Sequence, residues 1–186
     1  MNLPNAITIA RILSVPVLIW LIVAGQYLLA FWLFVFAGLS DGVDGYIAKR
    51  FDQRTELGAY LDPIADKLML VSIYVSLGLL RVLPPWLVIL VVTRDIMIVG
   101  GVLLATLLEQ PVKVKPLLIS KLNTAAQIIL AGLVLAVLGF GLPSRELVLI
   151  GSVIVAALTI VSGTQYVTTW IRSMASSAPP RQGLGE

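Results

Sequence analysis

Six long apolar stretches dominate the sequence, and short polar breaks separate them. They cover residues 4–25, 28–48, 57–80, 84–108, 118–140 and 145–171. A bilayer core about 30 Å thick requires roughly 20 apolar residues in a helix, and each stretch comes close to that length. The second and third stretches are partly polar at the ends that face each other. The pattern predicts an all-α protein, an integral membrane bundle of six transmembrane helices.

The composition agrees with a membrane protein. Of 186 residues, 59% are hydrophobic and 12% are charged, and the mean hydropathy is +1.00. A soluble domain of this length needs more polar surface. The first stretch has no basic segment before it and contains Pro4 and Arg11, so we interpret it as a retained helix and not as a cleavable signal peptide. We expect one membrane domain over residues 1–175 and a disordered tail over 176–186.

The basic residues predict the orientation of the helices. With six spans, the two termini and the second and fourth loops lie on one side of the membrane. That side carries Lys49, Arg50, Arg54, Lys113, Lys115, Lys121, Arg172 and Arg181, whereas the other side has Arg81 and Arg145. Positive loops stay in the cytoplasm, so both termini are predicted to be cytoplasmic. The same loops explain the sequence pI near 9.4 at a net charge of only +3, and we expect no nucleic-acid partner.

Cysteine and histidine are both absent from the chain. Their absence excludes a cysteine or Ser-His nucleophile, a histidine general base and a Cys/His zinc site. A bound metal would have only oxygen ligands, which favours magnesium, manganese or calcium.

Four aspartates form the most informative polar pattern. Asp41 and Asp44 are three residues apart at the end of the second stretch, and Asp62 and Asp66 are four apart near the start of the third. In a helix, either spacing puts both carboxylates on one face. The loop between the stretches is short, so we expect two antiparallel neighbouring helices whose acidic pairs face each other near the cytoplasmic surface. Divalent cations would relieve the repulsion, and two such ions can clamp a phosphate undergoing displacement.

The charged residues allow two other interpretations. Asp41 and Asp44 alone could form a solvated helix end, and intramembrane aspartates also occur in cation transporters. Against a transporter, the four acids cluster towards one side of the membrane, and Asp95 is the one acid well inside the last three stretches. Ionisable groups at membrane depth require partners or water, so the cations at positions 11, 67 and 94 indicate a polar interior or an interfacial cavity.

The spacing of residues 41–66 resembles the signature of the CDP-alcohol phosphatidyltransferase family. That signature has two Asp three apart, Gly, two residues, Ala-Arg, eight residues, Gly, three residues, Asp, three residues and Asp. The residues in register are Asp41, Asp44, Gly45, Ala48, Gly58, Asp62 and Asp66. The departure is Lys49, where the family usually has arginine. Lysine keeps the charge but loses bidentate phosphate contact.

The resemblance implies a reaction and roles for these residues. Family members attack the β-phosphorus of a CDP-linked lipid with an acceptor hydroxyl and release CMP. By position, Asp41, Asp44 and Asp62 correspond to metal ligands, and Asp66 to the general base and a fourth ligand. The cofactor implied is Mg²⁺ or Mn²⁺, as two ions. The wall that binds CDP would consist of Gly45, Ala48, Lys49 and Gly58.

Further segments resemble one branch of the family, the phosphatidylglycerophosphate synthases and the CMP-forming cardiolipin synthases. These segments are residues 3–8 with Arg11, residues 61–67, Arg94-Asp95 and residues 120–127. Both reactions use CDP-diacylglycerol, and the acceptor is glycerol 3-phosphate in the first and phosphatidylglycerol in the second.

The acceptor prediction rests on charge. A pocket for the glycerol 3-phosphate dianion should carry more positive charge, and Asn123 stands where phosphatidylglycerophosphate synthases tend to have lysine. We therefore predict phosphatidylglycerol as acceptor, with glycerol 3-phosphate as the alternative, and serine, inositol phosphate or choline as more distant ones. Arg94 and Lys121 are the candidates for binding the acceptor phosphate, although they could instead pair with acids or lipid headgroups. The resemblance also implies a homodimer. From hydropathy and loop charge we expect an integral protein of a bacterial inner membrane whose active site faces the cytoplasm.

Overall fold

The computed structural model describes the backbone of residues 3–51, 56–107 and 118–176, and the side chains of residues 9–40, 65–101 and 118–169. Within these ranges all regular structure is helical and no strand occurs. The helices are α1 (Leu3–Val23), α2 (Tyr27–Phe51), α3 (Glu56–Leu79), α4 (Pro85–Leu107), α5 (Leu118–Gly139) and α6 (Arg145–Ser176). The all-α prediction with six helices is confirmed.

The helices follow the apolar stretches closely, with two extensions. α2 continues three residues past the predicted end at residue 48, and α6 continues five residues past residue 171. Hydropathy marks where a chain leaves the apolar layer, whereas a helix continues as long as its backbone hydrogen bonds do. The predicted disordered tail lies outside the described residues, apart from residue 176, which ends α6.

Three helix ends share one local structure. α1, α3 and α5 are each followed by a residue in the left-handed region: Gly25 (φ 73°), Arg81 (φ 57°) and Gly141 (φ 66°). In each case the next residue's N–H bonds to a carbonyl five positions back, as from Gln26 to Leu21 at 2.8 Å. This Schellman arrangement satisfies carbonyls that the helix end leaves open. It turns the chain sharply, and Pro85 then opens α4 at a position where a missing N–H costs nothing.

Helix α1 is central to the half of the bundle that holds the aspartates. It packs against both α2 and α3, while α5 contacts α2, α3 and α6, and α4 contacts α3 and α6. Among the described residues α2 and α3 make no helix-to-helix contact with each other. Along the described part α1 lies against both of them. The predicted approach of their loop-connected ends and acidic pairs involves Asp41, Asp44 and Asp62, whose side chains lie outside the described ones.

The surface of the bundle is strongly apolar. Leucine, isoleucine and tryptophan side chains such as Leu13, Trp20, Ile89 and Ile129 are each about two-thirds exposed. Contiguous apolar surface of this extent is rare on soluble monomers and fits a lipid surrounding. By length and composition, α5 and residues 145–169 of α6 are long and apolar enough to cross a bilayer, and the apolar segments Ile9–Val23 and Tyr27–Ser40 are shorter.

Candidate active site

A groove lies between α2 and α3, with α1 and α5 contributing to its walls. Its volume is about 390 Å³. Its lining, which defines the α2–α3 groove, is Arg11, Phe34, Val35, Ala37, Gly38, Leu39, Asp66, Lys67, Met69, Leu70, Thr124 and Ile128. Three of these residues are charged and most of the others are apolar. A cavity of this composition suits an amphipathic ligand with a charged headgroup.

An ion pair at this groove joins α1 to α3. Nη1 of Arg11 donates to Oδ1 of Asp66 at 2.7 Å, and the Arg11 side chain is 4% exposed while that of Asp66 is 50% exposed. A buried guanidinium requires a partner of opposite charge, and Asp66 supplies one. The exposed half of Asp66 remains accessible to the groove, as a proton acceptor or a metal ligand must be.

A second set of charges begins at the next residue of α3. Nζ of Lys67 donates to Oδ2 of Asp95 at 2.7 Å, and Nη1 of Arg94 donates to Oδ1 of the same carboxylate at 2.7 Å. Nη2 of Arg94 then donates to the hydroxyls of Ser120 and Ser162, at 2.6 and 2.8 Å. We call these five residues the Asp95 network. The network ties α3, α4, α5 and α6 together.

These ion pairs supply the partners that the three cations in apolar stretches were predicted to need. Each of Arg11, Lys67 and Arg94 has a carboxylate partner, which confirms that the interior is polar. The sequence did not identify which acid serves which cation. For Ser162 the sequence offers a signal, because Thr159 lies one turn before it and the two form a polar position on one face of an otherwise apolar helix.

The candidates for acceptor binding differ in exposure. Arg94 is buried, and two of its three guanidinium nitrogens bond to the network; Nε has no partner among the described residues. Lys121, at the start of α5, is exposed, and no described residue pairs with it. Their roles towards an acceptor stay predictions.

Asn123 does not line the groove. It is fully buried, and its Oδ1 accepts a hydrogen bond from the Thr159 hydroxyl at 3.0 Å. Its side chain therefore bonds to α6 in the core. This placement gives no support to the idea that Asn123 marks a missing cation in an open acceptor pocket.

The remaining predicted residues lie in described helices, but their side chains lie outside the described ones. Asp41, Asp44, Gly45, Ala48 and Lys49 belong to the second half of α2. Gly58 and Asp62 belong to the first two turns of α3. Both segments are helical, and the shared face of each acidic pair stays a prediction from its spacing.

The donor set fits a hard divalent cation. All four candidate ligands are carboxylates, and the one with a described side chain, Asp66, is half exposed at the groove. Oxygen donors are those that Mg²⁺ and Mn²⁺ prefer. The donor type of the four candidate residues is therefore that of a hard cation, and the metal itself stays a prediction.

The sequence model that describes CDP-alcohol phosphatidyltransferases matches residues 1–171. The chain belongs to the CDP-alcohol phosphatidyltransferase family. The matched residues reach into all six helices and include the aspartate segment.

Individual relatives fall into two groups by name. A rice chloroplastic CDP-diacylglycerol–glycerol-3-phosphate 3-phosphatidyltransferase is 35% identical over 184 residues, covering 89% of this chain and 56% of the relative. Human cardiolipin synthase (CMP-forming) is 35% identical over 151 residues, covering 73% of this chain and 50% of the relative. The chain spans about half the length of these two relatives. The CDP-diacylglycerol–glycerol-3-phosphate 3-phosphatidyltransferase of Bacillus subtilis is 32% identical over 181 residues, covering 89% of this chain and 93% of the relative.

Proposed function

We propose that this protein transfers the phosphatidyl group of CDP-diacylglycerol to a hydroxyl of a glycerol-type acceptor and releases CMP. The observation that carries the proposal is Asp66, a half-exposed carboxylate at the charged end of an otherwise apolar groove. A phospholipid has an apolar part and a charged phosphate, and these match the apolar and charged parts of the groove. Family membership supports the same reaction class.

In the proposed reaction, Asp66 takes the proton of the acceptor hydroxyl. The oxygen then forms a bond to the β-phosphorus of CDP-diacylglycerol, the bond from that phosphorus to the CMP oxygen breaks, and CMP leaves. Asp41, Asp44, Asp62 and Asp66 would hold two Mg²⁺ or Mn²⁺ ions, which when bound neutralise oxygens on the attacking and leaving sides.

The CDP part of the donor would lie against the C-terminal half of α2 and the start of α3. Gly45, Ala48 and Gly58 are small and would let the nucleotide approach the backbone, and Lys49 would meet its phosphates as a point charge. This wall follows from the family signature and complements the groove, which would take the apolar part of a lipid.

Phosphatidylglycerol is the proposed acceptor. The lining of the α2–α3 groove is mostly apolar, and this supports a lipid acceptor over a small, highly charged one. Arg94 and Lys121 are proposed to bind the acceptor phosphate, Lys121 from its exposed position at the start of α5.

Glycerol 3-phosphate is the second candidate acceptor. It is favoured by the name of the Bacillus subtilis relative, which matches this chain over nearly its whole length. The choice between the two acceptors is the choice between a cardiolipin synthase and a phosphatidylglycerophosphate synthase.

The protein is proposed to act as an integral membrane homodimer. Each of the six helices would cross the bilayer, both termini would be cytoplasmic, and the aspartates would open towards the cytoplasm of a bacterial inner membrane. The loop charges support this orientation, and the exposed apolar side chains support the lipid surrounding.

The test is CMP release by the purified protein in detergent. The protein receives CDP-diacylglycerol and either phosphatidylglycerol or glycerol 3-phosphate, in the presence of Mg²⁺, of Mn²⁺ or of a chelator. We expect CMP with phosphatidylglycerol, no CMP with the chelator, and recovery when either metal is added back. CMP release with glycerol 3-phosphate alone would assign the second acceptor, and a folded protein that releases no CMP with any acceptor would refute the enzymatic proposal.

A further inference from the structure

Asp95 has two cationic partners and almost no solvent contact. The residue is 3% exposed, and each of its carboxylate oxygens accepts one charged hydrogen bond at 2.7 Å, from Arg94 on one side and from Lys67 on the other. A buried carboxylate shared in this way fixes the positions of both donors, because moving either would leave an unpaired charge in the interior.

Arg94 is anchored from behind. Its Nη2 bonds to Ser120 of α5 and Ser162 of α6, and its Cγ lies 3.8 Å from where a side chain on Gly163 would begin. The small residue on α6 leaves room for the arginine stem, so Arg94 is in contact with three helices, including its own. The arginine that binds Asp95 is therefore itself held in place by α5 and α6.

Lys67 is the exposed end of the Asp95 network. Its side chain is 28% exposed and lines the α2–α3 groove directly after Asp66 in the sequence. An ammonium has three N–H donors, and Asp95 is its one polar partner among the described residues. The other two N–H donors of the Lys67 ammonium are thus available to a ligand in the α2–α3 groove, whose lining is otherwise mostly apolar.

We propose that Asp95 is a positioning residue that fixes the Lys67 ammonium for binding the phosphate of the acceptor. This inference rests on the proposed function. In phosphatidylglycerol and in glycerol 3-phosphate alike, only the glycerol carbons separate the attacking hydroxyl from the phosphate. Asp66 and Lys67 are consecutive residues, so an acceptor whose hydroxyl reaches Asp66 places its phosphate within range of a long lysine side chain. The compact charge of an ammonium suits a phosphate oxygen of either acceptor.

The central test removes Lys67 and leaves the buried pair intact. In Lys67→Met, Asp95 keeps its bond to Arg94, so no unpaired charge remains in the core. With saturating CDP-diacylglycerol and varied acceptor, we expect KM for the acceptor to rise on the order of 10- to 100-fold, with kcat changed far less, as for loss of a charged hydrogen bond. Lys67→Arg should recover part of the loss. Arg145→Gln removes a cation at the start of α6, outside the groove, and should leave KM unchanged.

Asp95→Asn tests the positioning role. This variant should also raise KM for the acceptor, and Asp95→Glu should recover part of the loss. The double variant Lys67→Met/Asp95→Asn should have a KM no higher than that of the more impaired single variant. Thermal unfolding in detergent accompanies each assay, and if Asp95→Asn does not fold, Lys67→Met with its KM readout decides alone. An unchanged KM in Lys67→Met, or a lowered unfolding temperature without a change in KM, would overturn the proposal and leave a structural ion pair. A wild-type protein that releases no CMP would instead refute the proposed function.

Discussion

The Arg11–Asp66 pair should contribute measurably to the stability of the bundle. Its donor is 4% exposed and its acceptor 50% exposed, with 2.7 Å between Nη1 and Oδ1. At this separation the Coulomb energy is about 1.5 kcal/mol in water and about 6 kcal/mol at an effective dielectric constant near 20. Since half of the carboxylate is solvated, screening and desolvation remove much of the larger value. We expect a coupling energy of about 1–3 kcal/mol.

A double-mutant cycle measures this coupling directly. The free energy of unfolding is determined by denaturant titration in detergent for the wild type, Arg11→Met, Asp66→Asn and the double variant. Each single variant should lose stability, and the double variant should lose less than the sum of the two, by the coupling energy. Arg11→Lys serves as the matched control, since it keeps the charge but not the reach of the guanidinium. If the two losses simply add, the pair does not stabilise the bundle and the reasoning from its geometry is wrong.

Two further outcomes follow from the site and the packing. Asp66→Asn should abolish CMP release while CDP-diacylglycerol binding, measured by equilibrium dialysis, stays close to that of the wild type; a binding loss as large as in Asp44→Asn would assign Asp66 as a metal ligand only. Gly139→Ala should lower stability by about 1–3 kcal/mol through overpacking, because the added Cβ would lie 2.8 Å from the Leu28 Cα. Gly38→Ala is its control, as no atom lies within 4 Å of that position, and equal unfolding temperatures for both variants would contradict the close approach of α2 and α5.

The sequence predicts the helices well because hydropathy and length determine them almost alone. The predicted stretch 118–140 and the helix Leu118–Gly139 differ by one residue. The need of Arg11, Lys67 and Arg94 for charged partners was predictable in the same way, since the cost of a bare charge in apolar surroundings depends little on the particular fold.

Partner choice was not predictable from the same information. Asp95 follows Arg94 directly, yet it also holds Lys67, 28 positions earlier, and this depends on how α3 and α4 are rotated about their axes. Apolar residues lie on every face of these helices, so the sequence carries little information on rotation. Asn123 illustrates the consequence: its type drew attention to the acceptor pocket, whereas its helix face turns it towards Thr159. The position of α1 against both α2 and α3 was likewise not accessible from loop length.

The two ion pairs on α3 also bear on the order in which the helices pack during synthesis. Helices emerge from the ribosome in order, so when α3 arrives, α1 is already present with Arg11, the partner of Asp66. Lys67, by contrast, has its partner on α4, which is still to be made. The charge of Asp66 can therefore be paired at once, whereas the charge of Lys67 can be paired only after about 28 more residues have been made. We therefore expect α3 to reach its final packing only together with α4.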